Sequence, residues 1–134
     1  MGKIPVTIVG GYLGSGKTTL INSVISEDHG LKLALLINDF GDINIDASLI
    51  ESQDGDVLSL SNGCVCCTLT DDFSQTMEQI KNSADSFDRV IIEMSGIGEP
   101  SKVVSYVDET DYFLDGIVVL LDVEKIQDWA ENKY

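Results

Sequence analysis

Residues 5–25 read PVTIVGGYLGSGKTTLINSVI, and three signals follow one another there in a fixed order. Pro5 to Gly10 is a short apolar, β-branched run that ends in glycine, a strand signal. Residues 11–18, GYLGSGKT, fit G-x-x-x-x-G-K-[ST] at every fixed position. From Lys17 onward Leu20, Ile21, Val24 and Ile25 recur at a helical spacing. Strand, glycine-rich turn and helix form the context in which such a loop cradles phosphates. Gly11, Gly14 and Gly16 let the backbone curl, so that its amides point inward around Ser15. The helix N-terminus adds partial positive charge. Lys17 can then reach the β- and γ-phosphates, and the Thr18 hydroxyl can ligate Mg²⁺. The loop does not by itself separate ATP from GTP.

Outward from this stretch, strand signals recur at Leu33–Ile37, Val57–Leu60, Arg89–Glu93 and Ile117–Leu121. The longer ones lack alternation, as strands buried on both faces of a parallel sheet do. Helical spacing lies between them, at Leu69–Ala84 and more weakly at Ser101–Val107. The alternation predicts βαβ units: an α/β, mainly parallel, doubly wound sheet with flanking helices. The 134 residues are expected to form one nucleotide-binding unit, residues 1–134. Eight basic residues against 23 acidic ones give a net charge of −15, which argues against nucleic acid and anionic membranes as partners. No apolar run approaches a membrane span, and the first apolar run feeds into the phosphate loop rather than a cleavage site. A cytoplasmic location is expected.

RVIIEMSG, residues 89–96, places Glu93 at the C-terminal end of a buried strand, the edge that faces the ligand crevice in a doubly wound sheet. A carboxylate there can hold Mg²⁺ directly or through water, and Gly96 can offer its amide to a γ-phosphate. The plainer alternative is that Glu93 only caps a strand or pairs with Lys17. Asp122 has the same edge position one strand later and reads equally as a strand-end cap. His29 reads as a residue of the first helix's C-terminus.

All three cysteines fall in NGCVCCTL, residues 62–69. A redox pair, buried structural thiols and soft metal ligands are the three readings. The first lacks the usual C-x-x-C setting. The second is strained by strand alternation, which would turn some thiols outward. As ligands, Cys64, Cys66 and Cys67 suit Zn²⁺, Co²⁺ or Ni²⁺ and leave one tetrahedral position open.

GGYLGSGKTTL, NDFGDINIDASLI, SLSNGCVCCTL and VIIEMSGIGEP, in that order, resemble the CobW-type metallochaperone GTPases, relatives of the hydrogenase and urease nickel-insertion GTPases. The resemblance covers about residues 5 to 123. It implies a P-loop GTPase domain that couples GTP and Mg²⁺ to capture of a thiophilic metal and its delivery to a client metalloprotein. It further implies that Gly11 to Thr19 hold the phosphates and Mg²⁺, and that Asp39 to Asp46 form the first switch. Cys64, Cys66 and Cys67 would hold the metal, Glu93 would be the second acidic element, and Ser95–Gly96 the second switch. Solvent, a second subunit of a homodimer or the receiving protein could fill the fourth metal position. Two positions depart from the pattern: Asp39 stands where the family has Glu, and Met94 lacks the family's hydroxyl. The guanine-reading N/S/T-K-x-D element is not found, since Asn132–Lys133 comes too soon and lacks the aspartate. The resemblance therefore implies an N-terminal portion of a longer protein.

Overall fold

The computed structural model describes residues 3–11, 16–37, 43–55, 57–68, 73–82, 87–95, 100–108, 111–123 and 130–131. Among these residues seven strands form one sheet: β1 (Ile4–Gly11), β2 (Leu33–Ile37), β3 (Ile50–Asp54), β4 (Val57–Leu60), β5 (Val65–Thr68), β6 (Arg89–Ser95) and β7 (Tyr112–Leu120). Their order is β3-β4-β5-β2-β6-β1-β7. β5, β2, β6, β1 and β7 run parallel, and the β3–β4 hairpin adds antiparallel to β5. Three helices connect the parallel strands: α1 (Lys17–Ser26), α2 (Phe73–Lys81) and α3 (Pro100–Asp108).

The handedness of these crossovers distributes the helices. From β1 the chain crosses β6 to reach β2, moving one way along the sheet. From β5 it crosses β2 to reach β6, and from β6 it crosses β1 to reach β7, both moving the other way. Right-handed crossovers in opposite directions put their helices on opposite faces. Ile21 and Ile25 of α1 accordingly pack with Val9, Leu33, Leu35, Ile37 and Ile91. Met77 and Ile80 of α2, with Val103 and Val107 of α3, pack with Val6, Ile8, Ala34, Leu36, Val90 and Ile92. Every residue of β2 is buried, which is why LALLI shows no alternation. The expected doubly wound architecture is borne out.

Three elements differ from expectation. β3 and β4 form a hairpin through Gly55, which takes φ 59°. The IESQD sequence of β3 is polar because most of that strand is exposed. β7 begins at Tyr112 rather than Ile117. A register shift opposite Val6/Thr7 leaves Asp115 as an extra residue, and Asp115 and Gly116 interrupt the apolar run. The irregularity has a use: Arg89 of β6 donates to Thr7 Oγ1 of β1 at 2.9 Å and to Asp115 of β7 at 2.5 Å, tying three strands together. Finally, Cys66 and Cys67 lie in a strand, β5, where the sequence offers no strand signal, and Cys64 immediately precedes it. On the second face, Tyr112 donates its hydroxyl to the Met77 carbonyl at 2.5 Å, and Phe73 meets Tyr106 edge-on at 5.2 Å.

Candidate functional site

The direction of winding reverses between β1 and β6. The helices that follow these strands, α1 and α3, pack on opposite faces of the sheet, the arrangement that leaves a crevice at such a point. Gly11 ends β1 in register with Ser95 of β6, and Val9 is paired with Glu93. α1 starts at this edge. Its cap residue Gly16 takes φ 100° and ψ 11°, a left-handed conformation that strains any residue with a Cβ, so glycine is required for geometry rather than space. No side chain caps the first turn, which leaves the leading amides of α1 facing the crevice edge as a ready anion site.

Lys17 is 5% exposed and Glu93 1% exposed. Glu93 shares the α1 face of β6 with Arg89 and Ile91, as period-two alternation requires. Lys17 Nζ donates to Glu93 Oε1 at 2.8 Å and to the Met94 carbonyl at 3.4 Å. The pairing read as the plainer alternative is therefore present. It leaves one atom over: Glu93 Oε2 is buried with no hydrogen-bond partner among the described residues. A buried carboxylate oxygen without a donor is costly, so a cation or water at this point would be stabilising. Thr18 is partly buried and Thr19 exposed on the same first turn. Gly14, Ser15, Asp39 and Gly96, expected around the same crevice, lie outside the described residues. Asp46 is described and caps the turn at 47–49, accepting from Ser48 N at 3.0 Å. His29 does close the end of α1: Leu31 N–H donates to Nδ1 at 3.1 Å, which leaves Nε2 to donate to the Val24 carbonyl at 3.0 Å.

The thiols are distributed by strand alternation. Cys64 and Cys66 lie on the α1 face, 1% and 0% exposed, within the core that holds Leu33, Leu35 and Leu60. Cys67 lies on the other face, partly buried against the second core. The expectation that alternation would turn a thiol to solvent fails, because β5 is an interior strand between β2 and β4. Nor do the three converge on one point: among the described residues no group of three His, Cys, Asp or Glu side chains is placed to hold a metal ion. Cys64 is also occupied. Its Sγ accepts from Leu33 N–H at 3.4 Å and donates to the Leu31 carbonyl at 3.7 Å. The preceding turn, with Asn62 at φ 62° and Gly63 at φ 78°, brings it there.

Burial pushes the Cys66 thiol from its ordinary 9.0 up to about 12, with the neighbouring Cys67 adding to the effect. Burial also raises Cys67. Both are neutral thiols at pH 7. The unfolded chain ionises first as pH rises through 9.0, so the stability contributed by the buried neutral Cys66 is complete below that value and lost between 9.0 and about 12. Urea midpoints measured from pH 8 to 11 are expected to fall less steeply in Cys66→Ala than in the parent chain. Parallel profiles would show that Cys66 is not held neutral.

The geometry meets its counterpart in known proteins. The model of the CobW/HypB/UreG nucleotide-binding domain matches residues 5–134. The chain belongs to this family. It is 34% identical over 131 residues to the zinc chaperone CobW of a Sinorhizobium species, covering 90% of this chain and 37% of that protein. It is 33% identical to the zinc chaperone YjiA of Escherichia coli, covering 91% and 41% respectively. It is 37% identical to the zinc-regulated GTPase metalloprotein activator 1 of Dictyostelium discoideum, covering 96% and 28%. The crystal structure of the Zn(II)-bound YjiA GTPase from E. coli superposes with a TM-score of 0.76 at 28% identity, covering 99% of this chain and 45% of that one. The chain thus spans less than half the length of these relatives, and the shared portion is the one that carries the phosphate loop, Glu93 and the cysteines. No described helix is long and apolar enough to cross a membrane.

Proposed function

We propose that this chain is the nucleotide-binding part of a GTPase metallochaperone. It binds Mg²⁺·GTP, hydrolyses it slowly, and captures a thiophilic divalent ion, Zn²⁺ first and Co²⁺ or Ni²⁺ by the same chemistry, for delivery to a client metalloprotein. The observation that carries the reading is the buried Lys17–Glu93 pair at the winding reversal, with Glu93 Oε2 left over. Relatives named as zinc chaperones and a zinc-regulated GTPase activator support the cargo. A cytoplasmic setting would keep the thiols reduced.

Glu93 and the Thr18 hydroxyl are hard oxygen donors that would suit Mg²⁺, and Asp39, which the resemblance assigns to the first switch, would add a third. Bound there, the ion would supply charge neutralisation between the β- and γ-phosphates. The chain's own work is positional. The α1 amides and Lys17 hold the phosphates, with Gly11 to Gly16 shaping the cradle and Gly96 available to the γ-phosphate. When Lys17 turns toward the phosphates, Glu93 loses its partner and both of its oxygens are free for the cation side. The lysine thus exchanges one anion for another, and its burial keeps the exchange away from water, which would weaken the charge pairing. Hydrolysis is slow because positioning and charge neutralisation are nearly all that the site offers, and a partner completes it.

Capture of the metal needs more than the resting strand provides. Cys66 and Cys67 face opposite sides of β5, so one ion reaches both only if that end of the strand leaves its ladder with β2 and β4. Cys64 must also give up its two backbone bonds to join them. Titration of the full chain with a fluorescent GTP analogue would test the nucleotide half first. Mg²⁺-dependent binding that EDTA reverses is expected. Absence of any triphosphate binding at millimolar concentration would sink the reading.

A further inference from the structure

α1 also holds the chain that follows β2. Asn22 lies four residues past Thr18, on the same side of the helix. Its Nδ2 donates to the Asn44 carbonyl at 2.9 Å, and its Oδ1 accepts from Asp46 N–H at 2.9 Å. One planar amide thus fixes two backbone groups of a segment that has no helix or strand of its own. Ile43, 2% exposed, anchors that segment in the same core as Ile21, Ile25 and Cys64. The hydrogen bonds continue from there. Asp46 caps the turn at 47–49 through Ser48 N and Oγ. The Leu49 carbonyl accepts from Ser61 Oγ at 3.2 Å, and the Ser61 carbonyl accepts from Cys64 N–H at 3.3 Å. Cys64 in turn is bonded to Leu31 and Leu33.

We propose that Asn22 is a positioning residue that couples the phosphate-binding helix to the cysteine segment. The inference rests on the nucleotide and metal readings of those two regions given above. A shift of the first turn of α1 moves Asn22 as part of a rigid helix, and the two-point amide passes that shift to residues 44–46. The turn at 47–49 and Ser61 pass it on to the backbone that carries Cys64. A one-point contact would pivot; the bidentate one fixes direction as well as distance.

The test is the alkylation rate of each cysteine in the full chain, read by mass spectrometry, with and without Mg²⁺ and a non-hydrolysable GTP analogue. The variants are Asn22→Ala, Asn22→Asp and Ser23→Ala, with nucleotide affinity measured in the same samples. Ser23 is the exposed neighbour, and alanine is the better helix former at both positions, so α1 is retained. The nucleotide is expected to change the parent's rates, and Asn22→Ala to cut that change by about threefold or more. Asn22→Asp keeps the acceptor and loses the donor, so it should fall between. Ser23→Ala should match the parent, and all should bind nucleotide within about twofold, since no phosphate contact is lost. A full nucleotide effect in both Asn22 variants overturns the proposal. A parent chain that binds nucleotide with no change at any thiol overturns it together with the metal half of the reading, whereas a parent that binds no nucleotide overturns the function itself.

Discussion

Lys17→Met is expected to cost the chain about 3–5 kcal/mol of stability, because it strands a buried carboxylate without its partner. Glu93 is 1% exposed; among the described residues one of its oxygens is bonded to this lysine and the other has no partner. The same variant should lose nucleotide affinity by roughly tenfold or more for each charged hydrogen bond removed, at about 1.5–3 kcal/mol apiece. The two effects separate in Lys17→Met/Glu93→Leu. Replacing a buried ion pair by apolar side chains of similar volume is often neutral or stabilising, so the double variant should recover its urea midpoint. It should not recover nucleotide binding. A single variant as stable as the parent would mean that the pair is not formed in solution. Recovery of nucleotide binding in the double variant would remove Lys17 from the phosphate site.

The second large effect concerns zinc. Cys66→Ala/Cys67→Ala is expected to weaken Zn²⁺ binding by more than about 100-fold, beyond what loss of an outer partner costs a metal site. The pH dependence counts the ligands. Each thiol that binds must release its proton, and Cys66 and Cys67 are both held above the ordinary thiol value of 9.0. Affinity therefore falls as pH falls, by about one log unit per pH unit for each thiol that ligates. A slope of about two between pH 6 and 8 means that two of the three thiols bind; a slope of about three means that all bind and that Cys64 has left Leu31 and Leu33 to join the others. A slope near zero would exclude thiolate capture.

How much of this was legible depends on whether local and global signals agree. Residues 5–25 were readable because the strand run, the loop motif and the helical period all point one way, and the winding of β1 and β6 then fixes where Lys17 and Glu93 meet. β5 is hard to read because cysteine is ambiguous: three thiols in four positions suit metal ligands, whereas buried Cys66 behaves as a small apolar residue of an interior strand. β3 was missed because an exposed hairpin strand carries no apolar pattern, although Asp54–Gly55 is a usable turn cue. The Asn22 clamp has no sequence signature, since its partners are backbone groups 22 and 24 residues away. Met94, one of the two departures from the family pattern, packs against the second core, and the structure assigns it no role in the crevice beyond a carbonyl for Lys17.

The central claim is that one crevice binds the triphosphate and one strand binds the metal, with the first state biasing the second. Competitive Zn²⁺ titration of the full chain against a chromophoric chelator, with Mg²⁺ and either a non-hydrolysable GTP analogue or no nucleotide, tests it most directly. The expected result is one zinc per chain whose affinity changes by at least about fivefold on adding the analogue, the lower bound of an ordinary coupling between sites. Zinc affinity that is identical in both conditions, in a chain shown to bind the analogue, would contradict it.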